Sequence, residues 1–260
     1  KADWFWDALQ RIEKNPKKGE YYLTDIVEIA VKDNLPVQAV LHDDFTETIG
    51  INTRVHLSEA EAAMRMRINR EHMLNGVSMM DPASTYIEAG VQIGKDTTIM
   101  PNTYLHGSTV IGEGNVIGPN TIIRDSKIGN RCKVLASVLE GAVLEDDVDM
   151  GPFARLRKGA HLKSHVHMGN FGEVKDSTLH EGVKMGHFSY IGNAIIGANT
   201  NIGAGTITAN YDGQQKHTTE VGEDVFIGSD TMLVAPLKIG DGARTGAGAV
   251  VTKNVPEDTL

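Results

Sequence analysis

Cysteine is almost absent: Cys132 stands alone in 260 residues, so no intrachain disulfide can form and a reducing, cytoplasmic setting is expected. Aromatic residues make up only 5%, too few for a core built around large rings. Positive charge is also short. Against 34 Asp and Glu stand 25 Lys and Arg, a formal net charge of −9 that argues against a nucleic-acid partner. No apolar run reaches the length of a membrane span, and none reads as a signal peptide. What is present is glycine, 28 residues, and a recurrence of period six.

From Ile87 onward every sixth residue is aliphatic: Ile87, Ile93, Ile99, Leu105, Ile111 and Ile117 keep strict register. The phase slips near Ser126. It resumes with Val138, Leu144, Met150, Leu156, Leu162, Met168 and Val174, and a last run holds Val221, Ile227, Leu233, Ile239, the polar Thr245 and Val251. Neither a helix of period 3.6 nor a strand of period 2 gives this pattern. It predicts a mainly β fold, a parallel β-helix of hexapeptide repeats, in which three short strands make one triangular coil of about eighteen residues. The aliphatic residue points inward, and small residues beside it, such as Gly94, Gly118 and Gly203, let the chain turn the corner.

Residues 1–56 do not follow the repeat. Asp3–Ile12 and Ile26–Ala30 read as amphipathic helices and Val37–Leu41 as a strand, a small α/β remnant of a domain. Residues 57–76 read as a connecting helix, with a capping box from Ser58 to Glu61, an i,i+4 pair between Glu61 and Arg65, and Gly76 as its stop. Residues 77–260 form the solenoid. One interruption, Thr206–His217, predicts a loop leaving the coil, a common place for function. The chain opens at Lys1 and closes at Leu260, which reads as a fragment of a longer protein.

An apolar β-helix interior is inert, so chemistry must come from its outer faces. Arg157 and Lys175 lie one coil apart and are expected to stack, two cations suited to a phosphate or carboxylate. His187 and Tyr190 follow about one coil later, a potential base and a hydroxyl near that clamp. His161, His165, His167, His180 and His187 raise an alternative, a zinc-dependent carbonic anhydrase on the same scaffold. A structural or sugar-nucleotide-sensing solenoid is the non-enzymatic alternative.

Five segments in order, GPFARLR, GNFGEVK, GHFSYIG, NIGAGTITANYDG and VFIGSDTMLVAP, closely resemble the C-terminal half of the bifunctional N-acetylglucosamine-1-phosphate uridylyltransferase / glucosamine-1-phosphate N-acetyltransferase family. GEYYLTDI and GINTRVHL resemble the end of that family's uridylyltransferase domain. The resemblance implies left-handed coils, a homotrimer with sites at subunit junctions, and acetyl transfer from acetyl-CoA to the amine of glucosamine-1-phosphate. It implies His187 as general base and Arg157 and Lys175 as the phosphate clamp. Tyr190 and Asn201 would meet the sugar, and Glu173 would orient or polarise His187. Ala204 would offer a backbone N–H to the thioester oxygen, and Asn210, Tyr211, Lys216, Ser229 and Ala247 would line the acetyl-CoA or substrate pocket. Asn52 matches a Mg²⁺-ligand position of the uridylyltransferase half.

Three departures stand out. The family's Gly-rich nucleotide loop and the partner carboxylate for Mg²⁺ are missing, so this chain by itself is not expected to transfer uridylyl groups. The family's last stretch, which supplies a basic contact to the CoA phosphates, is missing beyond Leu260. Gly172 stands where a larger aliphatic residue is usual.

Overall fold

The computed structural model describes residues 2–260, which divide into two compact units, one up to Gly50 and one over Ile51–Leu260. In the first unit, helix α1 (Ala2–Gln10) and helix α2 (Ile26–Lys32) occupy the two predicted helical stretches. They are tied through Asp33, which accepts from Trp4 Nε1 at 2.7 Å and from both terminal nitrogens of Arg11. The Arg11 guanidinium and then the indole hold the Asp33 carboxyl at a pKa of about 2. The expected strand over Val37–Leu41 does not form. Among the described residues 2–50 there is no strand to pair with it, so its backbone has no ladder to join, and Val40 and Leu41 are exposed.

In the second unit, helix α3 runs over Arg54–Leu74, starting ahead of the expected position. Its N-cap is Thr53, whose hydroxyl accepts from the His56 N–H, so Ser58 and Glu61 lie inside the helix and cap nothing. Arg65 turns its guanidinium to 4.5 Å over the Tyr86 ring rather than to Glu61. Gly76 ends the helix with φ +92, a conformation a larger residue resists. The fully buried Asn69 ties α3 to the first coil by donating to the carbonyls of Pro82 and Thr85. No helix among the described residues is long and apolar enough to cross a membrane.

The rest is a three-walled solenoid. Sheet A has nine strands, sheet B ten and sheet C nine, every pair parallel and each strand bonded to its equivalent in the coil before and after. Thr85 pairs with Thr103 and Gln92 with Val110, the eighteen-residue step that the period predicts. The aliphatic column fills the interior: Ile99, Leu105, Ile117, Met150, Leu156, Leu162, Met168 and Val174 are fully buried. Thr245, its one polar member, is buried too and accepts from the Gly228 N–H at 2.9 Å.

The phase slip has a clear cause. Coils shorten at corners where a buried serine replaces part of the turn. Ser126 donates to the carbonyl of Arg124 and accepts from the Ala142 N–H of the next coil; Ser137 and Ser177 do the same with Leu135 and Ala154, and with Lys175 and Ala194. The hydroxyl satisfies backbone groups that the shorter turn leaves over. After the slip the inward residue is Leu139, fully buried, and not Val138 as the six-residue count suggested. Gly172 is likewise explained by packing. The side-chain ends of Met168 and Met185 fill the space that a Cβ would take.

Candidate active site

The outer face of sheet B carries the polar groups singled out above. On a strand, alternate residues face out, so Glu173 and Lys175 project from Gly172–Lys175 while Gly172 and Val174 face the core. Arg155 is in register with Glu173, Leu156 with Val174, and Glu173 with Tyr190. Arg157 therefore lies beneath Lys175, as the coil spacing predicts. Arg157 Nη1 donates to Glu173 Oε1 at 3.0 Å, a contact that raises the guanidinium pKa still further. Lys175 Nζ is 3.7 Å from Asp176 Oδ2.

A third cation, Lys216, comes near this pair. The excursion from the coil begins at Asn210, not at Thr206, because Ile207–Ala209 still pairs with Met232–Val234 in sheet B. Thr206 and Thr208 remain buried. Asn210 is itself nearly buried and donates to Asn193 Oδ1 at 2.7 Å, so it anchors the loop. Asp212 makes the turn, accepting from the amides of Gln214 and Gln215 and bonding His217 at 2.7 Å. Its carboxyl is pushed well below the ordinary range by these N–H and histidine contacts. A bridge between Tyr211 and Lys216 closes the loop and returns Lys216 to Lys175. Contact with the Lys175 side chain, then the charges of Lys175 and Arg157, lower the Lys216 pKa, while Asp176 opposes them. Three cations crowded this closely make a site for an anion. Lys216 therefore lies beside Lys175 and Arg157.

At the other end of the same wall, the corner leading from sheet A into sheet B carries a column of small residues. His187 is exposed at this corner, three residues before Tyr190. Ala204 lies one coil above it, as the Gly205 N–H bond to the Phe188 carbonyl shows. Ser229 lies above Ala204 and Ala247 above Ser229, linked by hydrogen bonds from the Asp230 N–H to the Ala204 carbonyl and from the Gly248 N–H to the Ser229 carbonyl. Coils are spaced at about 4.8 Å, so this rail runs roughly 14 Å from His187 to Ala247. The Ala204 N–H meets no acceptor among the described residues. Gly203 beside it has no room for a side chain: a Cβ would sit 2.6 Å from the backbone of Gly228, Ile227 and Ser229.

Sequence reading missed Asn170, Asn193 and Asp176. Asn170 lies directly beneath His187 by the register of Gly172 with Ser189, and Asp176 flanks Lys175. Counting a seventeen-residue coil instead of eighteen would have found Asn170. Within one chain the Glu173 carboxylate accepts from Arg157, and no hydrogen bond joins it to His187 among the described residues. The expected cofactor group also divides. Ala204, Ser229 and Ala247 form the rail, while Asn210, Tyr211 and Lys216 stand at the opposite edge of sheet B. Asn201 is on sheet A, between Lys184 and Phe226, and does not meet Tyr190 within one chain.

The histidines proposed for zinc are dispersed. His161 is on sheet C bonded to Glu145, and His167 is on sheet A bonded to Asp149. Among the described residues no three His, Cys, Asp or Glu gather in a metal-holding arrangement. Asn52 stands just ahead of α3, its N–H donating to His56 Nδ1.

Comparisons with known proteins agree with this architecture. Residues 90–125 and 218–253 match the family "Bacterial transferase hexapeptide (six repeats)". The chain is 47% identical over 255 residues to the Bifunctional protein GlmU of Streptococcus agalactiae, covering 98% of this chain and 56% of that protein. It is 51% identical to the protein of the same name from Lactococcus lactis, covering 97% and 55%. To that from Thermosipho africanus it is 49% identical, covering 100% and 57%. The chain thus spans about half the length of the curated relatives it matches.

Proposed function

We propose that this chain, which belongs to the GlmU family, transfers an acetyl group from acetyl-CoA to the amine of glucosamine-1-phosphate. The observation that carries this reading is one wall with two ends: three cations at one, and at the other an exposed histidine below a rail of small residues. Five residues separate the His187 level from the Lys175 level, about 16 Å between backbones. The amine and the phosphate of this sugar sit on adjacent ring carbons, so the long Lys175, Arg157 and Lys216 side chains on one side and the imidazole on the other must reach over the face to meet them.

The steps follow from the groups present. The clamp of Arg157, Lys175 and Lys216 holds the phosphate, and Tyr190 supports the ring between the two ends. The pantetheine arm lies along the rail, where Ala204, Ser229 and Ala247 let it approach the backbone. The sugar amine attacks the thioester carbonyl while His187 takes the proton that the nitrogen loses. The free N–H of Ala204 donates to the oxygen as it becomes negative. The carbon–sulfur bond then breaks, the amide is complete, and the CoA thiolate is protonated as it leaves. Imidazole suits the base role because its ordinary titration lies near neutrality. Asn201, on sheet A, reaches this site from a second copy, which fits a homotrimer with its sites at the junctions. Cys132 remains a buried free thiol, in keeping with work in the cytoplasm. Uridylyl transfer, with its Mg²⁺, belongs to the longer relatives' other half and is not assigned to these residues.

A thiol-release assay tests this reading. With acetyl-CoA, glucosamine-1-phosphate is expected to release free thiol, and N-acetylglucosamine-1-phosphate, whose amine is blocked, is not. Binding of acetyl-CoA without any amine-dependent release would instead support a sensing role.

A further inference from the structure

The clamp carries its own counter-ion before any ligand arrives. Arg157 is held by Glu173 at 3.0 Å, whereas Lys175 has only the longer contact of 3.7 Å to Asp176. Arg157 is the ion-pair partner of Glu173. Its neighbours along sheet B are Arg155 below and Tyr190 above, and Arg155 itself leans to Glu140 at 3.3 Å. The Arg157 and Glu173 side chains are 39% and 32% exposed, so the pair is open to exchange with a dissolved anion. A planar guanidinium grips carboxylate and phosphate by the same geometry, and it must leave one to take the other fully.

We infer that Glu173 is the internal counter-ion of the phosphate clamp: an entering phosphate monoester takes Arg157 from Glu173, and a leaving one returns it. Glu173 is thus a positioning residue that acts through Arg157. It limits the affinity of the clamp for every phosphate dianion alike, which keeps the product from being held as tightly as three cations alone would hold it. The inference rests on the reading of Arg157, Lys175 and Lys216 as a phosphate clamp and does not depend on the acetyl-transfer step.

Calorimetric titration with inorganic phosphate, in the absence of acetyl-CoA, tests it on the wild type, Glu173→Gln, Glu173→Ala, Arg157→Ala and the Arg157→Ala/Glu173→Gln double variant. Arg157→Ala is expected to weaken binding about tenfold or more. Both Glu173 variants are expected to tighten it roughly two- to fivefold, the scale of a part-exposed ion pair. Most of that gain is expected to vanish in the double variant, because the coupling runs through Arg157. In turnover the same Glu173→Gln lowers the KM for the phosphorylated acceptor without raising kcat. If Arg157→Ala weakens phosphate binding but Glu173→Gln leaves it unchanged or weaker, the counter-ion role is overturned and the clamp stands. A gain from Glu173→Gln that persists in full without Arg157 overturns the role as well. Phosphate binding that ignores Arg157→Ala removes the clamp itself.

Discussion

Replacing His187 by Ala is expected to lower kcat for acetyl transfer by about 10²–10⁴-fold, the range over which a positioned general base contributes. The fold should be untouched. His187 is exposed, sits at a corner outside any strand, and has no hydrogen-bond partner among the described residues. A loss of activity therefore reads on chemistry and not on stability. The pattern of the loss matters as much as its size. On the proposed reading the phosphate is gripped by Arg157, Lys175 and Lys216 and not by His187, so the KM for glucosamine-1-phosphate should change little while kcat falls, the signature of an interaction made only on the way to the transition state. Steady-state kinetics beside a thermal melt separate the two. Full turnover in His187→Ala would mean that another group, or water, takes the amine proton.

The largest effect on stability is expected at Leu156. Its side chain is fully buried, with Leu139 in the coil before and Val174 in the coil after. Leu156→Ala should cost about 2–5 kcal/mol, the transfer term of the lost methyls plus the cavity left behind. Relaxation is poor here because each coil touches only its two neighbours, and those are fixed by continuous backbone ladders. Urea unfolding should show a lower midpoint with an unchanged slope. Val138→Ala, at the half-buried position beside Leu139, should cost well under half as much. If the two substitutions cost the same, the placement of Leu139 inside and Val138 outside is wrong.

Much of this architecture was legible because a solenoid writes its coils into the chain as a repeat. The column from Ile87 to Ile117 and the stacking of Arg157 under Lys175 follow from counting sixes and eighteens, while His187 stands out by its motif, GHFSYIG. Counting failed where a coil shortens. Ser126, Ser137 and Ser177 shift the count by satisfying backbone groups with a hydroxyl, which no periodicity records, so the count lands on Val138 instead of Leu139 and passes over Asn170 beneath His187. Local signals also competed. Ser58 and Glu61 have the right spacing for a cap, yet Thr53 lies ahead of them with a free hydroxyl and takes the role. Val37–Leu41 has strand composition, but composition cannot supply the neighbouring strand it needs. At the site, the identity of the polar residues was readable and their partners were not. Glu173 stands between Arg157 and Tyr190 in register, and only the side-chain geometry reveals that it has chosen the guanidinium.

The account depends on one wall gripping a phosphate so that an amine on the same sugar meets His187 and the rail. The most direct test compares acetyl transfer to glucosamine-1-phosphate and to glucosamine, by thiol release, in the wild type and in the Arg157→Ala/Lys175→Ala double variant. The account predicts that the wild type strongly prefers the phosphorylated sugar by kcat/KM and that removing the two cations collapses this preference. A double variant that keeps the wild-type preference would contradict it.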